Sequence, residues 1–255
     1  MSKNQMGYCH ICGKYGKLSF EHIPPEDALN NNRAKLYTGD EALKKIKGEF
    51  AKYQNQQKGM GKYTLCESCN NNTGSWYANA YSGIAREVAY NLHKNYELTH
   101  GNVVTLCFKN FPTLQFVKQV ITMFCSLLPL SEVQRLGFDK LLLNKESNSI
   151  DKSLFDLRMY LTSINARQLM IGPCVAIYKT EFGSESSCIS DLCAYPFGFI
   201  LNLSHEHHIE YGTSIMNLLD AEYNNAYDMQ CTLMCLERIN EEFPLPLQFK
   251  SLPKT

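Results

Sequence analysis

Two Cys-x-x-Cys pairs constrain the fold of this chain more than any other feature of its sequence. They are Cys9/Cys12 and Cys66/Cys69, and each lies beside the Gly or Asn residues that form tight turns. Four thiolates at such spacing are the ligand set of a closed tetrahedral site for structural zinc. Residues 1–75 are poor in aliphatic side chains and cannot bury enough apolar surface to fold alone. We therefore predict that Zn²⁺ joins the two turns and stabilises this segment.

The other cysteines are interpreted from the compartment that the sequence suggests. The N-terminus is polar through Tyr8, and the longest apolar run, residues 116–130, contains Lys118 and is too short to cross a bilayer. We expect a cytoplasmic protein with no membrane partner. Disulfide bonds are rare in the cytoplasm, so the eleven cysteines do not predict a disulfide framework. We interpret the paired cysteines as metal ligands and the scattered cysteines as buried residues.

Charge is unevenly distributed although the 255 residues carry a net charge of zero. Residues 1–75 hold eleven Lys/Arg and seven Asp/Glu, and residues 76–255 hold fourteen and eighteen. A mildly basic N-terminal segment followed by a mildly acidic remainder fits a nucleic-acid-binding head.

Hydrophobic periodicity predicts an α+β fold in two domains, residues 1–100 and 101–255. Helices are predicted at 40–54 and at 74–96 in the first domain, which is the zinc-stapled head. The second is an α+β domain of unknown type, with predicted helices at 113–128 and 152–164 and predicted strands at 102–108, 169–180 and 195–204. Residues 228–240 are ambiguous, and Cys231 and Cys235 fit one face of a helix.

A candidate catalytic cluster lies inside the zinc bracket. Glu21 and His22 are followed, after Ile23, by Pro24 and Pro25, which stop a strand or a helix from running on. Asn70 follows the last zinc cysteine and is predicted to open a helix, so zinc binding would bring it close to Glu21 and His22. Carboxylate and amide oxygens suit Mg²⁺ or Mn²⁺, and a neutral histidine beside them can take a proton from water. This arrangement predicts a one-metal phosphodiesterase.

The segments CHICG, LSFEHIPP and LCESCNNNTG together resemble the His-Asn-His (HNH) endonucleases, over about residues 7–80. The resemblance implies a ββα-metal fold braced by a four-cysteine zinc site. It further implies that His22 is the general base and that Glu21 and Asn70 bind the catalytic Mg²⁺ or Mn²⁺. DNA is the substrate that the resemblance favours, and antiviral defence is a context that fits this branch of the family.

One position departs from the family pattern. The family's middle asparagine commonly lies about five residues before the third cysteine, where this chain has Gly61. Its replacement is left open among four asparagines, namely Asn30, Asn31, Asn32 and Asn55. The departure favours a second hypothesis, in which the head is a non-catalytic zinc module that binds nucleic acid or a protein partner.

Residues 101–255 carry no motif that identifies their role. Target recognition, regulation, formation of a homo-oligomer and docking on a protein partner such as an ATPase all remain open for this segment. The histidine-rich stretch at 204–208 is interpreted as a polar loop, because no further ligand cluster accompanies it.

Overall fold

Four antiparallel sheets and six α-helices make up the described part of the chain, which covers residues 5–95, 101–164, 169–180, 183–204 and 211–236 of a computed structural model. The strands are β1 (Met6–Tyr8), β2 (Tyr15–His22), β3 (Ala34–Leu36), β4 (Gln54–Gln56), β5 (Gly61–Cys66), β6 (Val103–Phe111), β7 (Asp156–Leu161), β8 (Leu169–Thr180), β9 (Gly183–Ala194), β10 (Phe197–Asn202), β11 (Thr213–Ser214) and β12 (Tyr227–Met234). The helices are α1 (Gly39–Ile46), α2 (Glu67–Thr73), α3 (Asn79–Asn95), α4 (Thr113–Cys125), α5 (Leu130–Arg135) and α6 (Phe138–Leu143). The mixed helix-and-sheet class agrees with the prediction from periodicity.

The N-terminal sheet places the predicted site residues on adjoining elements. Its strand order is β1-β2-β5, and β2 pairs with β5 so that Leu18 lies opposite Cys66 and His22 opposite Gly61. Helix α2 begins directly after β5, with Cys66 as its N-cap residue. Two antiparallel strands followed at once by a helix therefore hold the second cysteine pair, Asn70 and the Glu21–His22 end of β2.

A long insert separates β2 from β5 and contains the short ribbon of β3 and β4. The helix predicted at 40–54 is wrong in its second half, because α1 ends at Ile46 and residues 54–56 belong to β4. Gly48 adopts a φ of +77°, a backbone conformation that stops a helix and favours glycine. Tyr53 lies on the surface beneath the ammonium group of Lys35, 4.4 Å from its ring centroid.

Helical backbone runs without interruption from Glu67 to Asn95. A π-helical turn, Gly74–Ala78, joins α2 to α3. The helix predicted at 74–96 therefore begins seven residues earlier, at Glu67. The last residue of that prediction, Tyr96, lies outside the described part. The predicted apolar stripe is confirmed, because all five of its members are buried, namely Tyr77, Tyr81, Ile84, Val88 and Leu92.

The C-terminal segment forms a five-stranded sheet of order β11-β7-β10-β9-β8. The helix predicted at 152–164 is wrong, since this stretch contains β7, which pairs with β10 and with β11. Burial alternates along β7 from Asp156 to Met159, as it does in a strand, and Tyr160 and Leu161 after them are both buried. The helical interpretation of Cys231 is also wrong, because Cys231 lies on β12 and is paired with Leu106 of β6.

Helix α4 is the centre of the core, with all thirteen of its residues buried. Its Phe116 ring stacks on Tyr81 of α3, with centroids 5.4 Å apart, and contacts Phe197 and Phe199 of β10. The strands expected at 102–108, 169–180 and 195–204 and the helix expected at 113–128 are confirmed, each within a few residues at its ends. One hydrophobic cluster contains residues of both predicted segments. The domain boundary at residue 101 stays a prediction.

None of the described helices has both the length and the apolar character that crossing a bilayer requires.

Candidate functional site

The side chains of Cys9, Cys12, Cys66 and Cys69 converge on one point. Their four Sγ atoms all lie within 4.8 Å of one another. The Sγ atoms of Cys12 and Cys66 are 3.8 Å apart. A tetrahedral site with zinc–sulfur bonds of about 2.3 Å has sulfur–sulfur edges of about 3.8 Å, so the cluster has the dimensions of a four-thiolate site. The predicted cluster is therefore present, and its donors suit a metal ion such as Zn²⁺.

Local backbone structure builds the first half of this cluster. The amide of Gly13, with a φ of +69°, donates to the carbonyl of Cys9 over 2.8 Å, which closes the turn that carries Cys9 and Cys12. His10 lies within the same turn, between the two cysteines. Its Nδ1 is 2.8 Å from the carbonyl oxygen of Cys125 at the end of α4.

Hydrogen bonding and burial shift the pKa values of Cys9, Cys12 and Cys69 in opposite directions. A hydrogen bond from Cys69 lowers the pKa of Cys9 to about 4. The same contact raises the pKa of Cys69, and burial raises the pKa of Cys12. Hydrogen bonding alone therefore stabilises one thiolate, whereas a divalent cation allows every sulfur to be deprotonated.

The imidazole of His22 is fixed by a backbone carbonyl across the insert. Its Nε2 is 3.0 Å from the carbonyl oxygen of Lys58, and its ring meets that of Phe20 edge to face at 4.9 Å. A carbonyl oxygen only accepts hydrogen bonds, so the neutral ring carries its proton on Nε2. The other nitrogen, Nδ1, is then the basic atom. The carboxylate of Glu26 lies 3.9 Å from Nε2, on the same side as Lys58.

Asn70 is oriented by the strand that carries Glu21 and His22. Its Nδ2 donates to the carbonyl of Phe20 over 3.0 Å and to Oγ of Ser19 over 3.1 Å. Ser19 Oγ donates its own proton to the carbonyl of Leu65, so it must accept from Asn70. The amide oxygen of Asn70 therefore points away from these partners and remains available as a ligand. The prediction that Asn70 opens a helix is wrong, because α2 begins at Glu67.

Glu21 is buried, and no described residue forms an ion pair with its carboxyl group. Its exposure is 6%, and burial raises its pKa to about 8. Lys62 lies opposite it on β5, and burial lowers the pKa of that lysine. An ion pair would shift both values the other way, so the two do not pair. No described residue donates a hydrogen bond to the Glu21 carboxyl group, and a hard cation such as Mg²⁺ or Mn²⁺ would favour its ionised form.

Asn30 holds the loop between these residues and was not singled out from the sequence. It is buried, and its Nδ2 donates to the carbonyls of Pro24 over 2.6 Å and Met60 over 2.8 Å. Its Oδ1 accepts from the amide of Met60 over 2.7 Å. The loop after β2 is thereby tied to the residue before β5. Gly59 must be glycine, because a Cβ there would lie 1.8 Å from the Asn30 carbonyl oxygen.

Of the four asparagines that the sequence left open, only Asn30 is buried, since Asn31, Asn32 and Asn55 are exposed. Local sequence does not distinguish them. Gly59, which lies against the backbone of Asn30, is the one signal in the sequence for the close approach of these two segments.

Comparison with known proteins adds no relative. No family model, no curated protein and no solved structure matches the chain. The histidines at 205, 207 and 208 lie outside the described residues.

Proposed function

We propose that this protein is a metal-dependent endonuclease that hydrolyses phosphodiester bonds of nucleic acid, with DNA as the favoured substrate. In this proposal the four cysteines hold a structural zinc, and β2, β5 and α2 form an HNH-type ββα-metal unit. Glu21 and Asn70 hold Mg²⁺ or Mn²⁺ through a carboxylate oxygen and the amide oxygen. The observation that carries the proposal is the hydrogen bond of His22 to the Lys58 carbonyl, which leaves Nδ1 as the base.

The chain's own residues then account for the proton transfer. Nδ1 of His22 takes a proton from water as the water oxygen bonds to phosphorus, and the bond from phosphorus to the leaving oxygen breaks. The leaving oxygen takes its proton from solvent. When bound, the divalent metal stabilises negative charge on the phosphate and on the leaving oxygen. The Lys58 carbonyl stabilises the imidazolium that forms, because Nε2 continues to donate to it.

The charge of the insert supports a polyanionic substrate. Between Arg33 and Lys62 the chain has eight Lys/Arg and three Asp/Glu. This segment also contains Lys58, whose carbonyl contacts His22, so the basic insert is joined to the proposed site. Basic side chains around a nuclease site bind phosphates of either strand without regard to sequence.

Substitution of the proposed base tests the mechanism. We expect His22→Ala to slow Mg²⁺- or Mn²⁺-dependent nicking of supercoiled plasmid by about 10²–10⁴-fold, the usual contribution of a general base. Zinc content and melting temperature should stay at wild-type values, because His22 lies at a strand end. The matched control is His93→Ala, since His93 is an exposed histidine on α3 and should leave nicking unchanged.

Two results would contradict the proposal. Nicking by a folded His22→Ala variant at the wild-type rate would remove His22 as the base. Plasmid that is retarded on a gel but never cut by the wild type, with either metal present, would instead support the zinc-binding module that lacks catalysis.

A further inference from the structure

A pocket of about 430 Å³ lies directly behind the loop that follows Glu21 and His22. Asn30 forms part of its wall, and the same asparagine clamps Pro24 and Met60. The opposite wall comes from the C-terminal segment, through Ile164 and Tyr195. The pocket thus lies between the two predicted segments and shares a residue with the loop that positions the proposed base.

The apolar part of the pocket is exposed to solvent. Leu29 is 42% exposed and Ile164 is 56% exposed, although both line a concave surface. Leu29 also has a φ of +65°, a left-handed conformation that is costly for a leucine and typical of functional loops. Tyr195 is held in place by its hydroxyl, which donates to the carbonyl of Ala89 over 3.1 Å. An aromatic ring and two aliphatic side chains can together enclose a flat, apolar-faced group.

The polar part of the pocket suits a phosphate and the edge of a base. Arg33 lines it with an exposed guanidinium, to which none of the described residues gives an ion pair or a hydrogen bond. Guanidinium groups bind phosphate through two parallel hydrogen bonds. Asn32 adds an exposed side-chain amide, which both donates and accepts, as recognition of base edges requires.

The size of the pocket limits its occupant. Ligand sites commonly measure about 300–1,000 Å³, and this pocket lies near the lower end of that range. It has room for one nucleotide and not for a stretch of duplex. A base that enters it must be unpaired, either because the strand is single or because the base has left the helix.

We propose that this pocket binds one unpaired nucleotide of the substrate, with its base among Leu29, Ile164 and Tyr195 and its phosphate at Arg33. The inference rests on the proposed function and specifies its substrate, namely nucleic acid with an unpaired nucleotide close to the scissile phosphate. The combination of an aromatic ring, an amide and an unpaired guanidinium in one pocket, joined through Asn30 to the loop that follows His22, carries it.

Binding to labelled DNA tests the pocket separately from cleavage. The protein is the full-length, zinc-loaded His22→Ala variant without added Mg²⁺, and the probes are a fluorescein-labelled 12-nucleotide single strand and its matched duplex. We expect tighter binding of the single strand, by about tenfold, as one stacked base contributes. Arg33→Ala and Ala34→Trp should each abolish that preference, the first by removing the phosphate contact and the second by filling the pocket.

A control variant and an altered probe make the result specific. Lys140→Ala removes an exposed positive charge on α6, away from the pocket, and should leave the preference intact. A strand of equal length without bases should bind Ala34→Trp and the parent protein equally. Arg33 is exposed, so its substitution remains a valid test if Ala34→Trp fails to fold.

The outcomes separate this inference from the proposed function. If the wild type nicks plasmid through His22 but neither pocket variant changes the preference for the single strand, the pocket inference is overturned and the nuclease stands. If the pocket variants abolish the preference while the wild type cuts nothing, the nucleotide site stands and the nuclease is overturned. Equal affinity of the parent protein for single strand and duplex also overturns the inference.

Discussion

At the scale of single residues, the hydrogen bonds of one side-chain atom determine which other atom of the same side chain remains free to react or to bind. His22 commits Nε2 to the Lys58 carbonyl, which makes Nδ1 basic. Asn70 commits Nδ2 to Ser19 and Phe20, which turns its oxygen away from them. Glu21 has no such partner among the described residues, and its burial raises its pKa to about 8. These contacts leave Nδ1 of His22 and the amide oxygen of Asn70 turned away from their partners, beside the strand that carries the buried Glu21.

Glu21 makes the stability of the protein depend on pH. Its pKa is higher in the folded chain, about 8, than the ordinary value of 4.5 that applies after unfolding. The unfolded chain therefore loses this proton first, and the free energy of unfolding falls as pH rises from 4.5 to 8. The slope is about 1.4 kcal/mol for every pH unit in that window. We expect Glu21→Gln to remove this slope, measured by thermal unfolding of zinc-loaded protein at several pH values.

The same variant tests the proposed cation. At pH 8 we expect Mg²⁺ or Mn²⁺ to raise the melting temperature of the wild type and to leave Glu21→Gln unchanged, because binding stabilises only the state that holds the metal. Equal stabilisation of the two proteins would place the cation elsewhere. A wild-type slope no steeper than that of the glutamine variant would mean that Glu21 titrates normally.

At the level of elements, hydrogen bonds hold the two ends of the insert between β2 and β5 in fixed positions. Asn30 joins Pro24, the second residue after β2, to Met60, the residue before β5, through three hydrogen bonds. Lys58, whose carbonyl orients His22, lies two residues before Met60 and therefore moves with this clamp. The pairing of β2 with β5 alone does not fix that carbonyl, because Lys58 lies outside both strands.

Removal of the clamp should therefore affect both stability and catalysis. We expect Asn30→Ala to lower the free energy of unfolding by about 1–3 kcal/mol, because it leaves buried backbone groups without partners. We also expect it to slow nicking by more than tenfold under conditions where the protein stays folded, since His22 loses its fixed orientation. Chemical denaturation and plasmid nicking measure the two effects.

Asn31→Ala is the matched control for this prediction. Asn31 is adjacent and exposed, so its substitution should change neither stability nor nicking. Wild-type nicking by Asn30→Ala would show that the loop does not orient His22.

At the level of the whole molecule, the four-cysteine cluster is anchored on the central helix of the core. His10, inside the first cysteine turn, contacts the carbonyl of Cys125, the last residue of α4. Thr64 of β5 donates to Ser126 over 2.7 Å, one residue further on. Cys9 is itself fully buried in the hydrophobic cluster that also contains α4. Folding of the metal site and of the core should therefore be coupled.

Loss of one ligand should accordingly destabilise the whole chain. We expect Cys66→Ser to lose bound zinc, measured by elemental analysis, and to lower the melting temperature of the main transition, because metal-binding energy in such sites appears as folding energy. Cys107→Ser is the control, since Cys107 lies on β6 outside the cluster and is exposed, whereas the sequence predicts that the unpaired cysteines are buried. Retention of one zinc per chain by Cys66→Ser would exclude Cys66 as a ligand.

The sequence by itself determined the features that depend on close spacing or on one dominant chemistry. Two Cys-x-x-Cys turns predict a metal cluster because the spacing within each pair lets both thiolates reach one ion. The segment around them also buries little apolar surface, so its folding needs the energy of metal binding. The strongly apolar runs of α4, β8 and β10 also reveal their elements. Such patterns have a local cause, so a single sequence suffices to read them.

Tertiary structure alone decided the features whose partners lie far apart in the chain. Residues 156–161 form a strand because β10 and β11 lie on either side to pair with them. Asn30 is buried while the three other asparagines are exposed, because the loop ends that it joins meet only in the fold. The basic nitrogen of His22 depends on a carbonyl 36 residues away, at Lys58. A hydrogen bond follows distance in space, and the sequence records only distance along the chain.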